Sequence, residues 1–218
     1  MKLTQKQIQF IENYLIEQGV KYWDVRIELI DHIVSEIECK KDLSLDFKKE
    51  VINISNNLGY NSYSVRKRLN EKTKSIRKHY NKLIITNAKR LFTSLKSVIL
   101  IVFILCIYTS LYVYFSATLF VKLGIAIYLI SFILVSMSVT PQLIKRKRSI
   151  YLDNACSIII SPFLIFNGFF VLVNNIEAKS IALLFVLPIY LLFTYCCWLV
   201  YRETYIKTQR IHKELNSI

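Results

Sequence analysis

Glycine and proline are scarce in this sequence, with four glycines and three prolines in 218 residues. Such a chain has no glycine-rich phosphate loop, no flexible linker and too little turn chemistry for a fold of many short strands. The three histidines and five cysteines show no metal-ligand spacing, and no serine or cysteine has a recognisable catalytic partner. We therefore expect an all-α protein that is not an enzyme and that has no metal or other cofactor.

Hydrophobic residues make up 54% of the chain, and the mean hydropathy is +0.38. These values exceed those of an ordinary soluble domain and favour a lipid bilayer as partner. Residues 1–94 nevertheless hold 18 of the 29 basic and 11 of the 15 acidic side chains. The predicted organisation is a cytoplasmic helical domain at 1–94 with a basic juxtamembrane helix, a four-helix transmembrane bundle at 95–201, and a basic cytoplasmic tail at 202–218.

Four apolar segments reach the roughly 20 residues that a helix needs to cross a bilayer. They lie at about 97–115, 120–140, 155–173 and 181–201, and we expect a tight turn near Ser116 between the first two. Pro162 and Pro188 fall inside the third and fourth segments, where they can kink the helix. No ionisable residue lies at the centre of a segment, which disfavours an ion-coupled transporter.

The basic flanks of these segments predict the topology. Lys89, Arg90 and Lys96 precede the first segment, four basic residues at 145–148 follow the second, and a basic tail follows the fourth. The positive-inside rule places all three groups in the cytoplasm, and only an even number of spans allows this. Both termini are therefore expected in the cytoplasm.

Three short helices are predicted before the first span. The first, at 5–18, has a capping box of Thr4 and Gln7 and ends at Gly19. The second, at about 24–39, has an apolar face of Val25, Leu29, Ile33 and Ile37. The third is capped by Ser44 or Asp46 and stopped by Leu58-Gly59, and a fourth begins near Ser62 and is expected to run unbroken into the first span.

The second helix also carries a family pattern, Arg26-x-Glu28-Leu29-Ile30-Asp31-His32-x-x-x-Glu36, followed by Phe47-x-x-x-Val51 and Leu58-Gly59. Over roughly residues 8–70 this resembles the HAAS-type, PadR-associated signalling domain. The resemblance implies a short helical domain, with an acidic amphipathic helix, in front of a few membrane spans. It also implies a regulatory or protein-binding role and no catalytic residues, and we expect the chain in a bacterial inner membrane.

An acidic stripe on the second helix comprises Asp24, Glu28, His32 and Glu36, which step by four residues along one side. A cation could bind such a stripe, but acidic residues early in a helix also favour its dipole, and a solvated or partner-facing surface is the favoured interpretation. The candidate partner-facing residues are Asp24, Glu28, Asp31, His32 and Glu36.

The fourth helix is strongly basic, because residues 51–94 contain ten basic side chains and a single acidic one, Glu71. Its position beside a span favours contact with anionic lipid headgroups over nucleic acid. Val65, Leu69, Ile76, Leu83 and Ile84 are expected to supply apolar contacts to the membrane. The candidate headgroup contacts are Arg66, Lys67, Arg68, Lys72, Lys74, Arg77, Lys78, Lys82, Lys89 and Arg90.

Two function classes follow from these patterns. The favoured one is a non-enzymatic, membrane-anchored regulatory or scaffold protein whose cytoplasmic helical domain binds a protein partner in the cytoplasm or membrane. The alternative is a membrane subunit of a transport assembly, in which the four-helix bundle packs against another subunit.

Overall fold

The computed structural model describes residues 3–39, 46–60, 62–144, 148–173 and 175–216. These residues form eight α-helices and no strand. The helices are α1 (Gln5–Glu17), α2 (Trp23–Cys39), α3 (Phe47–Asn57), α4 (Ser62–Thr93), α5 (Leu95–Tyr114), α6 (Ala117–Ile144), α7 (Ile150–Leu172) and α8 (Ile176–Asn216). The predicted all-α fold is confirmed.

The chain divides into two compact units. The N-terminal unit comprises Met1–Ile76 together with Lys145–Ile150, and the C-terminal unit comprises Arg77–Ile144 together with Tyr151–Ile218. Residues 148–150, where α7 begins, thus belong to the N-terminal unit, although they are distant from it in sequence. Lys145–Lys147 of the predicted basic cluster lie outside the described residues.

Helices α1 and α3 end in the same way, with a left-handed glycine. Gly19 has φ +90° and Gly59 has φ +70°, a conformation that is cheap only for a residue without a Cβ. Val20 N–H then donates to Leu15 O at 3.0 Å, and Tyr60 N–H donates to Ser55 O at 2.6 Å. These are Schellman caps, and both predicted stops are confirmed.

The apolar face predicted for α2 forms the centre of the N-terminal unit. Leu29, Ile33 and Ile37 are buried, and both α1 and α3 pack against this helix. Ile11 of α1 and Val51 of α3 are fully buried in the same core. Burial of an aliphatic side chain of this size contributes about 1.5–3 kcal/mol, so this face largely holds the unit together.

Asp46 caps α3 by accepting a hydrogen bond from Lys48 N–H at 3.3 Å, while the alternative cap Ser44 lies outside the described residues. The expectation that α4 runs unbroken into the first span is wrong. Ser94 has extended backbone angles, φ −84° and ψ 117°, and separates α4 from α5. Ser94 is the N-cap residue of α5, a position that serine favours.

Four helices of the structure are long and apolar enough to cross a membrane: Leu95–Tyr114, Ala117–Gln142, Ile150–Gly168 and Ile176–Glu214. The chain is therefore a multi-pass integral membrane protein. The largest differences from the predicted segments are at α7, which begins five residues earlier, at Ile150, and at α8, which continues past Tyr201 to Asn216. The helix α6 also extends beyond the predicted 120–140 at both ends. Pro162 and Pro188 lie inside α7 and α8.

Aromatic side chains fill the core of the C-terminal unit. Tyr128 of α6 stacks on Phe166 of α7 with ring centroids 4.8 Å apart, and Tyr190 of α8 lies 4.5 Å from the same ring. Gly124 lets α6 and α8 approach closely, because a Cβ there would lie 3.2 Å from Leu183 Cδ1. Small residues at such crossings are typical of membrane helices.

Candidate functional site

The clearest polar constellation in the N-terminal unit surrounds Asp24, in the first turn of α2. Its carboxylate accepts a hydrogen bond from the Ser149 hydroxyl at 2.7 Å and bonds from the Ile150 N–H at 3.0 and 3.2 Å. Ser149 is 2% exposed and Ile150 is fully buried. Asp24 therefore acts as a cap, supplied from α2, for the first residue of α7.

The backbone completes this junction in the other direction. Trp23 N–H, at the start of α2, donates to Arg148 O at 3.0 Å. The first N–H groups of a helix have no acceptor within their own helix. The residues at the starts of α2 and α7 thus supply hydrogen-bond acceptors for each other's N–H groups, although they lie more than 120 residues apart in sequence. We call Trp23, Asp24 and Arg148–Ile150 the Asp24 junction.

The other candidate partner-facing residues have different surroundings. Glu28 forms an ion pair with Lys72 of α4, whereas Asp31, His32 and Glu36 are exposed. The five candidate partner-facing residues are therefore not equivalent. Asp24 and Glu28 contact their own unit, whereas Asp31, His32 and Glu36 form the exposed part of this set.

A small cleft of about 110 Å³ lies between α2 and α4 of the N-terminal unit, lined partly by Glu28, His32 and Arg68. The Arg68 guanidinium donates to Leu58 O at 3.0 Å and lies 5.1 Å from the centre of the Tyr60 ring. Burial raises the pKa of Tyr60, and the adjacent Arg68 opposes this rise. Arg68 thus stabilises the end of α3 by supplying a donor to a C-terminal carbonyl group.

The ten candidate headgroup contacts on α4 also separate into two groups. Three of them hold the chain's own structure: Arg68 as described above, Lys72 through Glu28, and Arg77, whose Nε donates to Asn154 Oδ1 at 3.1 Å. The other seven are exposed on the helix surface. These seven are Arg66, Lys67, Lys74, Lys78, Lys82, Lys89 and Arg90.

The apolar residues of α4 do not form the membrane-facing surface that the sequence suggested. Val65, Ile76 and Ile84 are 3–6% exposed, and Leu69 and Leu83 are half-buried. The expectation of lipid contact is wrong for Val65, Ile76 and Ile84, because these three side chains are buried in the protein, and it stays a prediction for Leu69 and Leu83. The same helical periodicity describes a face packed on lipid and a face packed on protein, so the pattern could not distinguish them.

Among the residues that the structure describes, no group of three or more His, Cys, Asp or Glu side chains could hold a metal ion. Cys39 and Cys106 are exposed, and Cys156, Cys196 and Cys197 are buried. Over the described ranges, the polar side chains discussed above form helix caps and ion pairs or lie on exposed charged surfaces.

Sequence reasoning missed the contacts of Ser149, Tyr80 and Arg77. Tyr80 OH donates to Tyr151 O at 3.3 Å and is 4% exposed, so it joins α4 to the first turn of α7 within the C-terminal unit. The available signal was a tyrosine among the basic residues of this helix, because a tyrosine hydroxyl needs a partner wherever the ring is buried.

Comparison of the chain with protein-family models, with curated proteins and with solved structures finds no match.

Proposed function

We propose that this chain is a non-enzymatic, membrane-anchored regulatory or scaffold protein whose N-terminal helical unit binds a protein partner. The Asp24 junction carries the proposal. It bonds the start of α2 directly to the residues that continue into the third span. A partner that moves α2 therefore acts on the beginning of a membrane helix.

The partner surface is the exposed part of α2. Asp31 and Glu36 present carboxylates there, and His32 lies between them. Such a surface fits a partner with a basic face, because opposite charges speed encounter and fix orientation. The resemblance of residues 8–70 to HAAS-type signalling domains supports the same class of function.

Site-specific crosslinking in cells tests the proposal. A photoreactive amino acid at the exposed Ser35 should form a discrete protein adduct. The double variant Asp31→Lys, Glu36→Lys should lose that adduct, because it reverses the charge of the surface. The matched variant Glu17→Lys, Glu71→Lys changes the net charge equally at other exposed positions of the unit and should keep it.

Equal adduct yields in the two double variants would contradict the proposal. Point variants test the partner surface more specifically than deletion of residues 1–60 would. Such a deletion removes Asp24, and with it the acceptor for Ser149 and Ile150. Loss of function could then come from damage to α7.

The alternative, a subunit of a membrane transport assembly, is favoured by one observation on α5. No residue of this helix is buried. An apolar groove of about 310 Å³ lies beside it, lined in part by Ile104, Tyr108 and Leu187. Under this alternative, a photoreactive residue at the exposed Val102 should crosslink to another membrane subunit, and the α2 charge variants should leave that adduct unchanged.

A further inference from the structure

The second half of α4, residues 77–93, is attached at both ends to the beginnings of membrane helices within the C-terminal unit. At one end, Tyr80 OH donates to Tyr151 O, and Arg77 donates to Asn154. Tyr151 is the second residue of α7, whose apolar span begins at Ile150. At the other end, Thr93 and Ser94 lead directly into α5.

These two attachments determine how the segment lies. Since α6 crosses the membrane in the opposite direction, α5 and α7 begin at the same membrane face. The 13 residues from Tyr80 to Thr93 span about 20 Å of helix. A segment perpendicular to the membrane would place Tyr80 about that far from the face, beyond the reach of Tyr151. We therefore expect the segment to run along the membrane surface.

One side of this segment is exposed along its whole length. Lys78, Lys82, Ile85, Lys89 and Phe92 recur at intervals of three and four residues, and we call them the α4 stripe. Ile85 is 57% and Phe92 is 62% exposed. The buried Tyr80 and Ile84 lie on the opposite side of the helix, so the stripe faces away from the protein core.

The sequence around the α4 stripe carries positive charge and no negative charge. No Asp or Glu occurs between Glu71 and Asp153. The three lysines of the stripe therefore have no acidic neighbour along the chain, and Lys96 adds a further positive charge just beyond the bend at Ser94. Long lysine side chains can extend towards headgroups while aromatic and aliphatic side chains enter the acyl boundary.

We propose that the α4 stripe binds anionic phospholipid headgroups, with Ile85 and Phe92 inserted at the acyl boundary. Three features of an interfacial helix meet in one segment: the expected position along the membrane face, mixed cationic and apolar exposure, and no acidic residue in the sequence from 72 to 152. The same basic character could serve nucleic acid, but a site between two span starts favours lipid.

Native mass spectrometry of the detergent-purified full chain tests the proposal. With equimolar phosphatidylglycerol and phosphatidylcholine, the parent should retain the anionic lipid with a preference of about ten-fold or more. The variant Lys78→Gln, Lys82→Gln, Lys89→Gln should reduce this preference to about two-fold or less. Replacing the same lysines with arginine should preserve it, because the charge remains.

The matched control removes three exposed lysines from the N-terminal unit, Lys6, Lys48 and Lys49, and should leave the preference unchanged. Ile85→Ser, Phe92→Ser should weaken retention of the intact lipid. Soluble glycerol 1-phosphate at equal headgroup concentration should not displace it.

Three outcomes would overturn the proposal. The glutamine variant could keep the parental preference, which would place the lipid site elsewhere. Glycerol 1-phosphate could displace the lipid completely, which would assign the stripe to a free phosphate ligand. The parent in phosphatidylcholine nanodiscs could bind a short duplex RNA through the same lysines without any lipid preference, which would assign the stripe to nucleic acid.

Discussion

Replacing Asp24 with alanine removes the carboxylate that caps α7 from α2. Two donors bond to this group, the Ser149 hydroxyl and the Ile150 N–H, at 2.7 and 3.0 Å. Loss of an N-cap side chain costs about 0.5–2 kcal/mol, and a hydrogen bond to a charged group contributes about 1.5–3 kcal/mol. Because Asp24 is only half-buried, we expect a loss of about 2 kcal/mol at this junction.

Hydrogen–deuterium exchange of the full chain in detergent micelles measures this loss where it occurs. About 2 kcal/mol corresponds to roughly 30-fold faster exchange in a peptide that contains Ile150. Asp24→Asn keeps an acceptor oxygen and loses the charge, so we expect roughly five-fold faster exchange.

Asp31→Ala is the matched control, since it makes the same change at an exposed position of the same helix. Its exchange at Ile150 should stay within about two-fold of the parent. Equal protection of Ile150 in Asp24→Ala and in the parent would refute the role of Asp24 as a cap and would remove the basis for coupling α2 to the third span.

Further predictions concern the stability of the N-terminal unit, measured by thermal unfolding of the full chain in detergent. Gly59→Ala should cost about 1–2 kcal/mol, because φ +70° is unfavourable for a residue with a Cβ, whereas Gly168→Ala, at a helical glycine with open space around it, should cost nothing. A smaller loss of stability in Gly59→Ala than in Gly168→Ala would contradict the Schellman cap. Ile33→Asp places a carboxylate at a fully buried position and should cost about 2–4 kcal/mol, while Glu36→Ala should change stability by less than about 0.5 kcal/mol. Equal melts for these two variants would show that this face of α2 is not the core.

Local sequence rules predicted much of the N-terminal unit because its helix ends are chemically local. Gly19 and Gly59 stop α1 and α3 through backbone conformation alone. The apolar residues of α2, spaced four apart, predict a single buried face, and this face packs against α1 and α3. The four apolar segments were equally predictable, since length and hydropathy suffice to define a span.

Features that depend on distant residues could not be predicted. The start of α7 at Ile150 depends on a cap from Asp24, which no sequence window contains. The bend at Ser94 interrupts a helical pattern that continues on both sides, and a serine inside such a pattern is not a stop signal. The predicted segment ended at Tyr201 because it was defined by hydropathy, which indicates only the part of a helix that lies in the bilayer. The helix α8 itself continues to Asn216, because its later residues also favour helical structure.

The candidate site was only partly predictable for the same reason. The acidic stripe of α2 and the basic run of α4 were evident from spacing and charge. Their division into structural and exposed members was not, because Glu28–Lys72 and Arg77–Asn154 join residues 44 and 77 positions apart. Whether Asp31, His32 and Glu36 bind a protein stays a prediction.

Membrane topology tests the account most directly, because the Asp24 junction requires the N-terminal unit and residues 148–150 to lie on the same side of the membrane. Reporter fusions after Ser94, Arg148 and Ile218 should all read cytoplasmic, and fusions after Ser116 and Asn175 should read external. The basic residues at 145–148 give the same expectation by an independent route. An external reading after Arg148, together with a cytoplasmic reading after Ser94, would contradict both the junction and the coupling proposed from it.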